Sequence, residues 1–444
     1  MLTNRPDDAP QNEQLFGLDH APLGTEGRHG FSDVGDGRRQ ELPFGFSLNS
    51  NAFYRRLGQE QFTNSGGGFT ADSLNQTESW GGVMQVTHEG TLLSSRNVLV
   101  LGGEYTRNDL GTRSLVFGSP GLTSKDEDIL ALFAQDTFNV TSHLTLSGGI
   151  RYDHDQIGFT DNLSPSNNAS RRFSRVTPRA GLTYSFNPRA SLYFSFSEGF
   201  RTPTIDEMFT RLGSSNVNLK PVRSRGFEVG LKSGLGTWGT AELAVYQTDV
   251  RDEIFFTCTV CTFGDPAFDG FNRNIDKSRR RGFEATVKVR FSRQFDVGLN
   301  YSYTEAQFRT ATTISTGGTV AVVDAGDSIP LVPKNRLSVT GNYGPIPGLT
   351  LSLSGSYVST QFHLNDNGNA QPRLPGYFVL NGRAAYELPG PYGRFKAFLT
   401  VNNLLDKEYF SYGIFSDFSG RNVMPAPGIA VYGGLSYQFE GFSK

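Results

Sequence analysis

The chain contains no run of about twenty apolar residues, so no segment can cross a membrane as a helix. Nor is there an excess of either charge: 41 Lys and Arg stand against 43 Asp and Glu. That balance removes the electrostatic footprint of a nucleic-acid partner. Cysteine is nearly absent, with Cys258 and Cys261 alone in Thr-Cys-Thr-Val-Cys-Thr. Two thiols without a nearby His cannot build a tetrahedral zinc site, and no metal is expected there. A local disulfide in an oxidising compartment is the expected state, and a pair of inert thiols is the alternative. His20, His29, His88, His143, His154 and His363 are scattered and make no His-Glu-x-x-His. No nucleophile elbow, phosphate-binding loop or calcium loop occurs, so neither an enzyme nor a cofactor is expected. Met1 is followed by Leu-Thr-Asn-Arg-Pro-Asp-Asp, which is no secretion signal; the sequence reads as a processed form or a fragment.

What the chain has in quantity is glycine (52) and phenylalanine (36), arranged with a period of two. In the closing stretch Ile429, Val431, Gly433, Leu435, Tyr437 and Phe439 alternate with Ala430, Tyr432, Gly434, Ser436 and Gln438. Such alternation over about ten residues marks a sheet with unlike faces and fits a tilted strand crossing a bilayer. Similar sets recur through the chain, for example Leu349, Leu351, Leu353, Gly355 and Tyr357 against Thr350, Ser352, Ser354 and Ser356. Sixteen such strands are expected between residues 41 and 439, the first carrying Phe44, Phe46 and Leu48. Residues 1–40 read as an irregular segment and 440–444 as a short tail. Connections alternate short and long, the long ones near 58–77, 109–126, 155–174, 199–223, 252–280, 306–334, 360–375 and 405–427. That alternation is the signature of an all-β transmembrane antiparallel barrel, with short turns on one side of the membrane and long loops on the other. Polar alternates such as Glu284, Thr286, Lys288 and Arg290 must then avoid lipid, where a Lys or Arg costs about 2–4 kcal/mol at the midplane.

Five stretches resemble one family. They are Ser197-Glu198-Gly199-Phe200-Arg201-Thr202-Pro203-Thr204-Ile205-Asp206-Glu207-Met208-Phe209; Asn218-Leu219-Lys220-Pro221 with Phe227-Glu228-Val229-Gly230; Asn274-Ile275-Asp276-Lys277 with Arg281-Gly282-Phe283-Glu284; Val401-Asn402-Asn403-Leu404-Leu405-Asp406-Lys407; and Pro427-Gly428 through Phe439. Together they resemble the C-terminal barrel of TonB-dependent outer-membrane receptors. The resemblance implies a barrel of twenty-two strands, of which about sixteen are visible here, with the plug domain and energy-coupling segment of the family not recognisable. It implies a multi-pass protein of the Gram-negative outer membrane that takes up a nutrient chelate, a ferric siderophore first among them. A passive sixteen-stranded porin and a barrel enzyme are the alternatives.

The implied partners are outer-membrane lipid and lipopolysaccharide, the barrel-assembly machinery reading Phe439, and a small-molecule ligand. TonB is a partner only where a plug and coupling segment lie upstream, and no nucleic acid is expected. Phe200, Arg201, Phe209 and Arg211 are the candidate ligand residues, because aromatic and Arg side chains suit a planar, anionic chelate. Arg171-Arg172, Arg175 and Arg279-Arg280-Arg281 place basic charge at the outer mouth, for steering an anion or for solubility. Asp126-Glu127-Asp128 reads as a solvated charge run or a cation site. The first strand (41–57) is not expected to pair with 429–439, because closure needs matching register and shear.

Overall fold

Backbone pairing between strands adjacent in sequence organises the chain. The computed structural model describes residues 24–66, 69–116, 119–209, 215–258, 270–316, 319–390, 393–416 and 420–439. The chain divides into two units, residues 1–137 with 149–177, and residues 138–148 with 178–444.

The first unit holds β1 (Gly24–Glu41), β2 (Phe46–Gly66), β3 (Phe69–Leu92), β4 (Ser95–Val116) and most of β5 (Ser119–Asn139). It also holds the later part of β6 (Leu144–Asp161) and the earlier part of β7 (Ala169–Asn187). β1 corrects the expectation of an irregular segment over 1–40, because it pairs antiparallel with β2 from Gly24↔Asn64 to Glu41↔Ser47. Its sequence shows no apolar alternation, so a period-two reading cannot find it; the ladder alone makes it a strand. β2 is thereby paired along both edges, by β1 and by β3, and is not the first strand. Phe44 leaves the apolar set: it lies in the 3₁₀ turn Pro43–Gly45 with φ 63°. Residues 1–23 and 440–444 lie outside the described residues.

The second unit holds β8 (Ala190–Arg201), β9 (Val222–Gly234), β10 (Gly239–Thr257), β11 (Phe271–Arg290) and β12 (Phe295–Phe308). A hairpin of β13 (Thr312–Thr316) and β14 (Thr319–Val323) follows, standing apart from the main ladder. Next come β15 (Asn335–Tyr343), β16 (Leu349–Val358), β17 (Tyr377–Gly390) and β18 (Gly393–Asn402). A second separate hairpin, β19 (Phe410–Ser416) with β20 (Gly420–Pro425), precedes the closing β21 (Ala430–Phe439). Each of the sixteen expected strands has its counterpart; β1 and the two separate hairpins are additional.

The register confirms the faces. Leu337, Val339, Gly341 and Tyr343 of β15 stand opposite Tyr357, Gly355, Leu353 and Leu351 of β16. Those in turn face Phe378, Leu380, Gly382 and Ala384 of β17. The alternates Ser352, Ser354 and Ser356 meet Asn342, Thr340 and Ser338. A slip of one residue would exchange the two faces, so this continuity of apolar rows fixes the register. The apolar rows are exposed, Leu353 at 55% and Val245 at 61%, which in water would be a large uncompensated patch.

The long connections differ from expectation. The short turns fall where the sequence puts them: Leu93 and Ser94, both at positive φ, join β3 to β4, and Gly348 at φ 84° brings the chain into β16. Long connections over 58–77 and 252–280 turn out to be largely strand, since β2 and β3 run to Gly66 and from Phe69, and β10 and β11 to Thr257 and from Phe271. Beyond the apolar band neither face meets lipid, so the strand continues while its alternation disappears.

A charge placed on the apolar row should separate the faces. Leu353→Arg is expected to lower unfolding stability in lipid vesicles by about 2–4 kcal/mol, whereas Ser354→Arg changes it little. Denaturant titration of the two variants checks this; equal losses would mean the faces are misassigned.

Candidate functional site: the outer-loop assembly and polar wall of the second unit

The segment after β8 begins with Arg201, whose guanidinium forks onto Glu207 at 2.6 and 2.9 Å. Glu207 also accepts from the Thr204 N–H, and the Thr204 hydroxyl accepts from the Glu207 N–H, a capping box that starts the one-turn helix α1 (Ile205–Met208). Burial opposes ionisation of Glu207, but the Arg201 fork and the Thr204 bond outweigh it and hold the carboxyl below its usual value. Met208, at the end of α1, is fully buried.

A chain of asparagine amides then binds this segment to the β10–β11 hairpin. Asn216 donates to the Asn272 carbonyl, and Asn272 donates to the Glu207 carbonyl. Asn274 accepts from the Lys220 N–H and donates to the carbonyls of Lys220 and Asp252. The Asn-Leu-Lys-Pro and Asn-Ile-Asp-Lys stretches are therefore clamps, with Leu219 and Ile275 as their buried apolar members. Asp252, at φ 58°, interrupts β10, and past it Glu253 takes Ser278 and Arg280.

Above the wall lies the apolar core of this unit. Ile275, Phe308, Ile314 and Val323 pack together, with Phe255 and Ile329 against them. The β13–β14 hairpin is thus anchored by its own side chains and by Arg273, which donates to Thr312 Oγ1 and the Thr313 carbonyl. Asn369 exchanges two bonds with the backbone of Ser328, tying the loop between β16 and β17 to the segment before β15. That loop is closed by Gln361 and Leu374 and joined in parallel to β19 at Leu364↔Ile414. The loop between β18 and β21 is shut at its base by two residues at positive φ, Asn403 and Asp406. Asn403 accepts from the Lys407 N–H and donates to the carbonyls of Lys407 and Pro427, while Asp406 accepts from the Ile429 N–H.

On the polar face of the wall, Tyr193 crosses Gly230 to donate to Glu228 at 2.6 Å. In the same way Tyr246 crosses Gly282 to reach Thr304 at 2.9 Å; a Cβ on Gly282 would lie 2.7 Å from the Tyr246 hydroxyl. Glycine at these places is required by the ring laid over it. Further along, Glu284, Thr286, Asn300, Ser302, Arg336 and Ser338 line a cavity of about 340 Å³.

Of the expected ligand residues, Phe200 and Arg201 end β8 and Phe209 follows α1. Arg201 is occupied by Glu207, and Arg211 lies outside the described residues. Cys258 is buried and disulfide-bonded; Cys261 lies outside the described residues. Arg279, Arg280 and Arg281 pair with Asp249, Glu253 and Glu305, so the basic run is neutralised where it stands. Arg-Gly-Phe-Glu occurs twice, at 225–228 inside β9 and at 281–284 inside β11, and its arginines pair with Glu198 and Glu305. In the first unit, Arg171 sits over Phe173, and Asp128 is taken by Tyr105 and Arg107 while Glu127 accepts from Asn108. No cluster of three His, Cys, Asp or Glu suited to a metal exists among the described residues. Phe439 ends β21 opposite Gly393. Buried His363 and Asp366 carried no sequence signal; the clamp role of Asn403 was hinted at only by a polar run ending a strand.

The long antiparallel ladders, exposed apolar rows and packed loops define a membrane β-barrel. The family model "TonB dependent receptor-like, beta-barrel" matches residues 3–404, and the chain belongs to that family. It is 28% identical over 285 residues to the ferrichrome outer membrane transporter/phage receptor of Escherichia coli K12, covering 63% of this chain and 34% of that protein. The metal-pseudopaline receptor CntO of Pseudomonas aeruginosa PAO1 is 24% identical over 393 residues, covering 80% and 49%. Among solved structures, the copper transporter OprC superposes with a TM-score of 0.75 at 15% identity over 93% of this chain and 66% of that one. The chain thus spans a third to a half of the length of the two curated relatives.

Two outcomes follow. The Arg201–Glu207 clasp has a lowered carboxyl pKa, so its contribution is complete above the ordinary value near 4.5 and is lost as pH falls through the lower folded value. Proteolysis around 201–209 should therefore rise only in strong acid, and Glu207→Gln should abolish that acid limb. Asn403→Ala strips the buried base of the last loop and should cost about 1–3 kcal/mol locally, read as faster cleavage within 405–427.

Proposed function

We propose that the chain forms the wall and outer-loop assembly of a receptor in the outer membrane of a Gram-negative bacterium, and that the receptor takes up a metal chelate, a ferric siderophore first among them. The observation that carries this reading is the pairing of a lipid-suited apolar face with large, internally packed loops at one end of the strands. A diffusion pore needs the first of these but gains nothing from a bonded assembly of loops. Both curated relatives described above are named for metal chelates, which supports the ligand class.

In this reading Phe200, Phe209 and Arg211 meet the ligand, and Arg201 holds Glu207 and positions its neighbours. Cys258 pairs with Cys261, the chain's only other cysteine, to staple the β10–β11 connection. The apolar rows contact lipid and the loops contact lipopolysaccharide. Phe439 serves assembly, and TonB supplies energy only where a plug and coupling segment lie upstream. No catalytic step is assigned.

The test is uptake. Deleting the gene should abolish accumulation of ⁵⁵Fe supplied as one trishydroxamate or triscatecholate siderophore, and restoring it should recover accumulation only in cells with TonB. Unchanged iron uptake with every chelate, together with slower entry of small sugars, would replace the receptor by a passive porin.

A further inference from the structure

His363 is 2% exposed, in the loop between β16 and β17. Its ring is seated on Gly413 of β19, so closely that a Cβ there would stand 2.8 Å from the imidazole Cδ2 and 2.9 Å from Leu374. Immediately beside it run the two bonds that join loop to hairpin: the Leu364 N–H donates to the Gly413 carbonyl and the Phe415 N–H to the Leu364 carbonyl, both at 2.9 Å. The ring bonds to the Pro372 carbonyl, while Nδ1 is buried with no partner among the described residues.

Among the described residues, the charged groups around it are few. Asp366, from the same loop, is fully buried, and its carboxylate accepts from the N–H groups of Ala370 and Gln371. Arg421 approaches from β20, and Asp327, before β15, acts on Asp366. Arg373 lies over the Phe362 ring at 4.5 Å.

We propose that His363 is an acid-sensitive latch: neutral, it holds the β16–β17 loop to the β19–β20 hairpin, and its imidazolium parts them. A proton on Nδ1 creates a buried donor with no acceptor and a buried charge, both of which cost free energy that separation recovers. The ring is buried against Gly413, so lifting the loop brings it into water and relieves both costs. Burial first, then Arg421, hold the imidazole below its ordinary value, with Asp366 and the Pro372 carbonyl pulling the other way. The sign follows: the latch is whole above the unfolded value near 6.5 and is lost as pH falls through the lower folded value. The consequence is an outer-loop assembly that opens in mildly acid surroundings. This rests on the receptor reading only in calling these loops outer.

Amide hydrogen exchange on the full chain in lipid vesicles tests it, read at Leu364 and Phe415 and corrected for intrinsic rates. Between about pH 7.5 and 4.5, protection at both amides should fall by up to about tenfold per pH unit, the limit for one proton. Amides of the β16–β17 ladder should not change. His363→Gln should make protection flat with pH, and because Asp366 remains in that variant, a fall that persists would assign the effect elsewhere and overturn the proposal. Arg421→Gln should move the midpoint upward, which a merely structural histidine would not do. Should His363→Gln fail to form the bridge at neutral pH, the wild-type profile and the Arg421 shift decide. A flat wild-type profile overturns the latch, whatever the uptake assay shows.

Discussion

An unpaired backbone N–H or C=O in hydrocarbon costs several kcal/mol, and that one penalty dictates this architecture. The strands of the main ladder in the second unit pair antiparallel in chain order, from β7–β8 through β18–β21. Side chains are secondary to this. β1 makes the point, because it has no apolar row and is a strand only because β2 offers it an edge. Once the ladder is fixed, alternation decides which row meets lipid, and the direct opposition of Leu351 to Tyr343 and Ala384 shows that choice carried across three strands.

The usual order of inside and outside is inverted in consequence. The membrane-suited rows are exposed, and the largest fully buried apolar side chains, Phe308, Met208, Leu219, Ile314, Leu374 and Val323, belong to connections or to the ends of strands next to them. The connections behave as a small soluble domain hung from a wall, with its own apolar cluster, its own sheet fragments and its own buried polar groups. The connections of the second unit therefore fold by ordinary aqueous rules, held to strands that do not.

How much of this was legible in the sequence follows from the same division. Sixteen strands were readable because lipid on one face and water on the other force a period of two. Where both faces are wet, at β1 and at the extensions past Arg55 or Asp249, the strands persist without that period and look like loop. The stretches that carry the family likeness were visible as punctuation, but their work was not. Asn274 and Asn403 act through partners fifty-four and twenty-four residues away, at Lys220 and Pro427, distances no local pattern encodes. Arg201 was a reasonable ligand candidate by chemistry; only the fold shows that Glu207 already occupies it. His363 is an isolated histidine in a polar stretch, and nothing but burial distinguishes it.

The base of the final loop has an evolutionary implication. Asn403 and Asp406 shut residues 407–427 off from the strands on either side, so β18 and β21 keep their register whatever lies between. Closing a loop twice as long costs only about 0.6 kcal/mol more in chain entropy. Selection can thus lengthen, shorten or replace that segment almost freely, trading one surface for another while the scaffold beneath stays the same.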